Sequence, residues 1–378
     1  IWIYLCKIVQ GRGVRFFSLP FFGNKKITAI DIGQFAVKLA QVKKKKDNKV
    51  ELLQAGKITL PRDVVKNGEI VDHSLVINKI NELFSKLNFR PNKVVTTIGS
   101  NNVIIRNVSL PVMPEEELNE ALKWEVEDYL PFAVEDATID YIITEEDEEE
   151  YQLIMVAAPK DIVDSYVSIL KKIYVEPVAV NVQAIALISL LSFQNAIDYP
   201  TAVIDIGASE TRVVIGEKKQ IYLSRTVDTG GRAFTERLMK TGLDYQEAES
   251  KKQDLVLNEG DDEDLEFDLA LNQMEEEDNG GQILYPLAED LVSEITRSIE
   301  YFYNHHRGAE LENIFITGGG ARLSGLQEMI ANDIEQELSV IKPLLGLTNH
   351  LDLIPEVAQD MSIAIGLALS EVFRDDES

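Results

Sequence analysis

Two seven-residue stretches decide the fold: ITAIDIG at residues 27–33 and TAVIDIG at residues 201–207. In each, a run of β-branched and small apolar residues ends in Asp-Ile-Gly. A second apolar run follows after a few residues, as AVKLAQV at 36–42 and TRVVIG at 211–216. This pattern predicts a strand, a tight turn and a return strand. Because the two copies lie so far apart in the chain, they indicate duplicated domains rather than a short-period repeat protein.

The Asp-Ile-Gly turn is suited to holding a phosphate together with hydrated Mg²⁺. Asp31 and Asp205 end their strands, where a carboxylate can contact water bound to Mg²⁺. Gly33 and Gly207 allow the backbone to approach a phosphate closely, and the N–H groups that follow can bind phosphate oxygens. One such turn is also an ordinary way to end a strand, so the prediction depends on finding two in the same hairpin setting.

A triple glycine supports the same interpretation. The apolar run NIFIT at 313–317 is followed by Gly318, Gly319 and Gly320 and then by a helical pattern, which we expect over 323–338. Such a turn can place backbone against a base or ribose, and the helix N-terminus favours an anion. The alternative is a plain strand–helix turn, although three glycines exceed what a turn requires. Neither a G-x-x-x-x-G-K-[ST] loop nor a G-x-G-x-x-G fingerprint occurs in the chain.

The stretch between the two hairpins has its own pattern. Helical spacing at 73–88, with Asp72 as a candidate cap, and a buried strand at 93–99 complete the first half. From about 100 to 175 the order is strand, helix, strand, strand, helix, which predicts a compact inserted subdomain. Its first helix begins at Pro114 with three glutamates, as suits a helix N-terminus. The acidic stretch 257–282 is predicted to be a mobile loop or a small solvent-facing element.

Composition excludes several classes of protein. The formal net charge of −27 repels nucleic acid, so a bound phosphate has to be held locally by backbone amides and a metal ion. The single cysteine, Cys6, cannot form an internal disulfide or a cysteine zinc site. The four histidines form no zinc-binding pattern, and the adjacent His305 and His306 point to different sides of a helix.

No stretch has the apolar length needed for a spanning helix. We expect residues 1–26 to be an extension outside the fold core. This segment combines apolar and aromatic residues with basic ones, and it lacks the apolar core and cleavage site of a signal peptide. A membrane-touching basic arm is the alternative for this segment.

At this point a family resemblance is plain. The paired Asp-Ile-Gly hairpins and ITGGGARLSGL at 316–326 resemble the superfamily of actin, heat-shock chaperone ATPases and FtsA. More narrowly, residues 16 to about 372 resemble the type IV pilus assembly protein PilM family. The family-specific text is LPVMPEEELNEALKWEVEDYLPF at 110–132, with SRTVDTGGRAFTERL at 224–238 and QEAESKKQ at 246–253 in support. The 110–132 segment separates this family from FtsA, and nucleotide binding does not explain it.

The resemblance implies an α/β, actin-like ATPase fold with two duplicated ribonuclease H-like domains and an inserted FtsA/SHS2-type subdomain. The implied boundaries are 27–99 with 176–199 for the first half, 100–175 for the insertion, and 200–378 for the second half, whose subdomain 2B spans about 235–300.

The resemblance also implies a binding site for ATP and Mg²⁺, with Asp31 and Asp205 meeting the metal through water. Its remaining residues fall into two phosphate motifs, a glycine pair, a pair at the ribose and base, and the adenosine turn. In that order they are Gly33, Gln34 and Lys38; Gly207, Ala208 and Thr211; Gly230 and Gly231; Glu249 and Lys252; and Gly318, Gly319, Gly320 and Arg322. For Lys38, a surface strand lysine is the equal alternative.

One departure from the family concerns turnover. Relatives often carry an acidic Asp-Val-Glu text where this chain has Asn181-Val182-Gln183. A carboxylate can act as a general base, whereas an amide can only position water. Gln183 is therefore the one catalytic candidate, as a water-positioning residue. We expect nucleotide binding with at most slow ATP hydrolysis.

The implied function is that of an ATP-binding adaptor in type IV pilus assembly, located in the cytoplasm at the inner face of the bacterial inner membrane. The implied partner is the N-terminal cytoplasmic peptide of a PilN-like protein in a PilN/PilO complex. This peptide would bind in a groove drawn from 93–175, and self-association is also compatible. An FtsA-like filament or membrane tether is the alternative, although the acidic tail EVFRDDES lacks an amphipathic membrane helix. A sugar-kinase-like enzyme is a third, but no catalytic aspartate or substrate cleft is evident.

Overall fold

The computed structural model describes residues 26–99, 103–218, 220–258 and 280–373. Our expectations for the N-terminal extension, for most of the acidic loop and for the last five residues therefore lie outside the described residues. The described chain divides into two units. Among the described residues, unit 1 comprises those up to 199 together with those of 216–224 and of 342–373, and unit 2 comprises 200–215 and the described part of 225–341.

Unit 1 contains a six-stranded sheet with the order β10-β6-β1-β2-β3-β16. The pairing is antiparallel for β1 with β2 and for β2 with β3, and parallel for β1 with β6, β6 with β10 and β3 with β16. Its strands are β1 (Lys26–Ile32), β2 (Ala36–Lys44), β3 (Val50–Thr59), β6 (Lys93–Ile98), β10 (Glu176–Val182) and β16 (Leu347–Asn349). A short hairpin of β4 (Val65–Lys66) and β5 (Glu69–Ile70) follows β3.

The helices of unit 1 begin and end where local chemistry favours it. Helix α1 (His73–Lys86) is capped by Asp72, whose side chain accepts the backbone N–H of Leu75 at 2.9 Å, which confirms the predicted cap. Helix α4 (Gln183–Phe193) is apolar on nearly every side and is buried accordingly. Helix α3 (Lys160–Lys172) buries one face and exposes the other.

The predicted inserted subdomain folds as strand, helix, strand, strand, helix. Strands β7 (Ile104–Pro111), β8 (Ala137–Glu146) and β9 (Glu150–Pro159) form an antiparallel sheet with β9 in the centre. Helix α2 (Glu115–Glu127) packs its apolar side on this sheet, and α3 closes the subdomain. The shared core contains residues from β7, α2 and β9, namely Val108, Leu118, Leu122, Val126, Leu153, Met155 and Ala157.

Unit 2 contains most of a five-stranded sheet with the order β13-β12-β11-β14-β15. The strands are β11 (Thr201–Ile206), β12 (Thr211–Glu217), β13 (Gln220–Val227), β14 (Asn313–Thr317) and β15 (Leu338–Val340). This order repeats β3-β2-β1-β6-β10 of the first sheet, because each sheet has an Asp-Ile-Gly hairpin, a third strand outside it and parallel strands beyond. The helices are α5 (Gly231–Met239), α6 (Tyr245–Asp254), α7 (Gly280–His305) and α8 (Leu326–Asp333).

Two expectations are corrected by the structure. We expected the second half to run to residue 378, whereas residues 342–378 group with unit 1. The reason is that α10 (Ser362–Val372), preceded by α9 (Pro355–Asp360), is apolar all round and is buried against α4, β1 and β2. The helix expected over 323–338 is shorter, because Gly325 at φ +91° precedes it and β15 follows it.

No helix in the described ranges combines the length and apolar character required to cross a membrane.

Candidate nucleotide-binding site

The first Asp-Ile-Gly hairpin places a carboxylate beside a lysine. The turn is closed by the N–H of Gly33, which donates to the carbonyl of Ala36 at 3.1 Å. Asp31 is 1% exposed at the end of β1, and its Oδ2 accepts a hydrogen bond from Lys38 Nζ at 3.2 Å across the hairpin. Its other oxygen, Oδ1, is buried and accepts no hydrogen bond from the residues that the structure describes. Gln34 lies partly exposed in the turn itself.

Two neighbouring strands bring further polar groups to the same edge of the first sheet. Thr97 of β6 pairs with both Asp31 and Asn181 in the strand registers, and its hydroxyl donates to the Asn181 carbonyl at 3.2 Å. Gln183 follows at the start of α4 and is largely buried. A Cβ on Gly99 would come within 2.3 Å of its side-chain oxygen, so the Gln183 amide lies directly against the end of β6. Asp31 and Gln183 thus share this sheet edge.

These residues fit a hydrated divalent cation. The unpartnered Oδ1 of Asp31 is a hard oxygen ligand held in a buried position, which suits Mg²⁺ bound through water. Among the residues described, no group of three or more acidic, histidine or cysteine side chains could hold a metal together. Mg²⁺ is usually held by one or two carboxylates together with water and phosphate oxygens, so the single Asp31 carboxylate of this sheet edge is enough to contribute to such a site.

The second hairpin is tied to a glycine pair that follows it in sequence. The N–H of Gly207 donates to the Glu210 carbonyl at 2.9 Å and closes the turn. In the other direction, the carbonyl of Gly207 accepts the N–H of Gly231 at 2.9 Å. Arg232 N donates likewise to the Ala208 carbonyl at 2.6 Å. The N-terminus of α5 is therefore held directly against the turn.

The hydroxyl of Thr211 fixes the loop that leads to the glycine pair. It donates to the Thr229 carbonyl at 2.7 Å. Thr211 itself is fully buried at the start of β12. We therefore assign Thr211 to the support of the loop rather than to direct ligand contact.

Glycines line this turn because no larger residue fits. A Cβ on Gly230 would lie 2.7 Å from the backbone nitrogen of Glu210 and 2.8 Å from the carbonyl of Gly207. Gly318 has φ +91°, and its Cβ would lie 2.3 Å from the Ile206 carbonyl and 2.6 Å from Asp205 Oδ1. The Cα of Gly320 lies 3.4 Å from a Cβ position on Gly231. Three chain segments thus converge on the end of β11, with Gly319 inside the third.

A partly buried ionic cluster adjoins the glycines. Lys252 Nζ donates to both oxygens of Glu249 at 2.8 and 2.9 Å, to the Thr235 hydroxyl at 2.8 Å and to the Gly231 carbonyl at 3.0 Å. Burial lowers the pKa of Lys252, hydrogen bonding to Glu249 opposes this, and the positive charge of Arg322 lowers the pKa further. The predicted pair of Glu249 and Lys252 is thus formed on one face of α6 and held against α5.

Sequence reasoning missed two contributors. Thr235 lies four residues after Gly231, where one helical turn brings its hydroxyl to Glu249 Oε2 at 2.6 Å. Glu210 binds Arg212 through Oε1 at 2.6 Å, while its buried Oε2 has no partner. The role of Arg212, the partner of Glu210, could have been predicted from the repeat, because Arg212 follows Asp205 by seven residues just as Lys38 follows Asp31.

The structure groups the predicted site residues by unit. Unit 2 contains Asp205, Gly207, Ala208, Thr211, Gly230, Gly231, Glu249, Lys252, Gly318, Gly319, Gly320 and Arg322. Unit 1 contains Asp31, Gly33, Gln34, Lys38 and Gln183.

Comparisons with known proteins bear on the family and the fold of the chain. A family model described as "Type IV pilus assembly protein PilM" matches residues 29–372. Among solved structures, a "PilM-PilN type IV pilus biogenesis complex" matches 92% of this chain and 98% of that chain with a TM-score of 0.77 and 24% identity. The ethanolamine utilization protein EutJ from Carboxydothermus hydrogenoformans matches 94% of this chain and 92% of its own, with a TM-score of 0.54 and 16% identity.

A more distant match is MreB 5 of Spiroplasma citri, in a crystal structure bound to AMPPNP. It covers 92% of this chain and 96% of its own, with a TM-score of 0.50 and 12% identity. Together with the repeated strand order, these likenesses confirm the predicted actin-like fold.

Proposed function

The chain belongs to the type IV pilus assembly protein PilM family, and from that premise we propose that it is an ATP-binding adaptor of a type IV pilus machine. Its proposed partner is the N-terminal cytoplasmic peptide of a PilN-like membrane protein in a PilN/PilO complex. This partner would hold the adaptor at the cytoplasmic face of the inner membrane. The observation that carries the nucleotide part is the convergence of two glycine segments, Gly230–Gly231 and Gly318–Gly320, on the turn after Asp205.

The proposed contacts with Mg-ATP are assigned separately in each unit, Asp31 in unit 1 and the others in unit 2. Asp31 would contact metal-bound water through its unpartnered Oδ1. Backbone N–H groups near Gly207 would bind phosphate oxygens, and Arg322 with the pair of Glu249 and Lys252 would contact the nucleoside. When bound, ATP would supply binding free energy that stabilises the state to which it binds.

The side chains favour retention over turnover. Gln183 lies against the end of β6 at the same sheet edge as Asp31. Its amide can hydrogen-bond and orient a water molecule, but it cannot accept the proton that a hydrolytic water loses. We therefore propose slow hydrolysis at most, with Gln183 as a positioning residue.

A contact within unit 1 gives the partner proposal a physical route. Tyr166 of α3 is fully buried, and its hydroxyl donates to the Ile32 carbonyl in the first hairpin at 3.4 Å. Helix α3 also packs on β6 and β9, so it touches both the first sheet and the inserted subdomain. A peptide bound in a groove drawn from 93–175 would press on this helix. We propose that peptide and nucleotide influence each other through α3.

The test is a fluorescence anisotropy titration of a labelled N-terminal peptide from the PilN-like protein of the same cell, with and without Mg-ATP. We expect saturable binding in at least one nucleotide condition and a different affinity in the other. No binding in either condition would contradict the adaptor function. Equal affinity in both would leave the adaptor standing and contradict the coupling through α3.

The nucleotide part is tested by Asp205→Ala. We expect this variant to lose ATP binding in isothermal titration calorimetry while its circular dichroism spectrum stays native. Asp198→Ala is the matched control, because Asp198 is half exposed in a surface pair with Lys218 and lies outside the site. Unchanged ATP affinity in Asp205→Ala, or equal loss in both variants, would contradict the proposed site.

A further inference from the structure

An exposed tryptophan stands on the outer face of α2 in the inserted subdomain. The helix buries Leu118, Leu122 and Val126 against the subdomain sheet, whereas Trp124 itself is 73% exposed. Four acidic residues are spaced so that they share the side of the helix on which Trp124 lies. Two precede it by seven and four residues, Glu117 and Glu120, and two follow it by three and four residues, Glu127 and Asp128. We call Glu117, Glu120, Trp124, Glu127 and Asp128 the α2 outer face.

The subdomain that carries this face is strongly acidic in sequence. Residues 103–159 contain 16 of the 64 acidic residues of the chain and only two of its 37 basic ones. Six consecutive acids at 145–150 span the end of β8, the turn and the start of β9. This turn contacts the segment that leads from β7 into α2, because Val112 N donates to the Glu149 carbonyl at 3.0 Å.

The two basic residues of this region contact one acidic and one aromatic side chain of the same subdomain. Lys123 pairs with Glu120 on α2. Arg106 lies with its guanidinium over the ring of Tyr129, 5.3 Å from the ring centre. A guanidinium can stack on an aromatic ring and still bind carboxylates in a bidentate manner, which an ammonium group cannot do.

Charge decides which occupant the face fits. A second copy would bring the same negative charge to the contact, and nucleic acids and anionic lipids are repelled in the same way. A large exposed aromatic ring surrounded by polar residues is typical of a protein contact site. We propose that the α2 outer face is a docking surface for an arginine-rich segment of a partner protein, with guanidinium groups stacking on Trp124 and pairing with the flanking carboxylates.

The α2 outer face lies within the 93–175 range from which the groove for the PilN-like peptide is drawn, so the proposal is tested in the absence of both nucleotide and that peptide. The probe is a short fluorescein-labelled peptide of alternating arginine and alanine, and the readout is anisotropy with the full chain. Two triple variants remove equal charge. The α2 variant is Glu117→Gln, Glu127→Gln and Asp128→Asn; the control variant is Glu289→Gln, Glu312→Gln and Glu328→Gln, at exposed positions of unit 2.

We expect Trp124→Ala and the α2 variant each to weaken binding about tenfold, as the loss of a few surface contacts predicts. The control variant should stay within about twofold, because it changes only the net charge. All changed positions are exposed, so native circular dichroism is expected throughout. In a Trp2→Phe background Trp124 is the only tryptophan of the chain, and its emission should change on binding.

Three results would overturn the proposal. Equal weakening by both triple variants would show that net charge alone attracts the probe. A lysine–alanine peptide binding as tightly as the arginine peptide would remove the role of ring stacking. Finally, about tenfold tighter binding after deletion of residues 1–25 would show that this basic segment of the same chain occupies the face instead.

Discussion

The two Asp-Ile-Gly hairpins carry a basic residue at the same offset but use it differently. Lys38 stands seven residues after Asp31, and Arg212 stands seven residues after Asp205. Lys38 donates to Asp31 itself at 3.2 Å, whereas Arg212 donates to Glu210 at 2.6 Å. The first hairpin thus directs its cation at the aspartate of the motif, while the second directs its cation at a carboxylate inside the turn.

Crowding separates the hairpins as well. A Cβ on Gly33 would meet only the Ala36 carbonyl, at 3.3 Å. In the second turn, Gly230 and Gly318 lie so close to the backbone that a Cβ added to either residue would be much nearer to a backbone atom than van der Waals contact allows. The duplicated motif has therefore produced one hairpin defined by an ion pair and one defined by close backbone packing. We expect substitutions to separate these two roles.

The largest expected effect is that of Gly318→Ala. The new Cβ would lie 2.3 Å from the Ile206 carbonyl, and the residue would keep a φ of +91°, so the glycine segment has to move away from the second turn. We expect a loss of about 3 kcal/mol in the free energy of unfolding and a loss of ATP affinity of at least about thirtyfold, or about 2 kcal/mol. Urea denaturation and calorimetry measure the two quantities.

Gly308→Ala is the matched control for this prediction. Gly308 has nearly the same backbone angle, φ +86°, but within the described part of the chain nothing lies within 4 Å of its Cβ position. It should lose only about 1 kcal/mol from the left-handed backbone and keep its ATP affinity. If both variants behaved alike, backbone strain alone would explain the first result, and close packing at the second turn would not be supported.

The second-largest effect is expected from breaking the Lys38–Asp31 and Arg212–Glu210 ion pairs, where a second substitution should restore the lost stability. Lys38→Met leaves the buried Asp31 without the cation that it contacts, and we expect a loss of about 2 kcal/mol in unfolding free energy. Adding Asp31→Asn should restore most of that loss. Arg212→Met should be rescued by Glu210→Gln and not by Asp205→Asn, because Arg212 contacts Glu210. Rescue of Arg212→Met by Asp205→Asn would show that the two hairpins use their cations alike.

Much of this fold was predictable because its signals are local. The two hairpins, the cap at Asp72 and the strand–helix order of the inserted subdomain all follow from residues close together in sequence. The return of residues 342–378 to unit 1 was not predictable in this way. An apolar helix such as α10 indicates burial, but it carries no information on which sheet buries it.

The site shows the same division. The importance of Gly318 is predictable from its neighbours in sequence, since three glycines after a strand are more than a turn requires. Thr235 did not, because its role depends on the contact of α5 with α6, which brings its hydroxyl to Glu249. That Asp31 Oδ1 is buried without a partner among the described residues likewise depends on tertiary packing, which a sequence motif does not predict.

The smallest expected effect concerns Lys252, whose lowered pKa has burial as its first cause. As pH rises towards the ordinary lysine value of 10.5, Lys252 loses its proton in the folded protein before it does so in the unfolded chain. The unfolded state then binds more protons, so folding stability contributed by this group increases with pH in that window. ATP affinity should move the opposite way, falling about threefold as one positive charge near the glycine segments is lost.

Because folding stability and ATP affinity are expected to change in opposite directions with pH, Lys252→Met tests whether Lys252 is the titrating group. This variant should bind ATP with the weakened affinity at every pH, and the rise in stability assigned to Lys252 should vanish. Lys38→Met is the contrasting control, because the Lys38 side chain lies in unit 1 and pairs with Asp31. It should keep the pH dependence that Lys252 causes. Persistence of the affinity change in Lys252→Met would place the titrating group elsewhere and remove Lys252 from the nucleotide site.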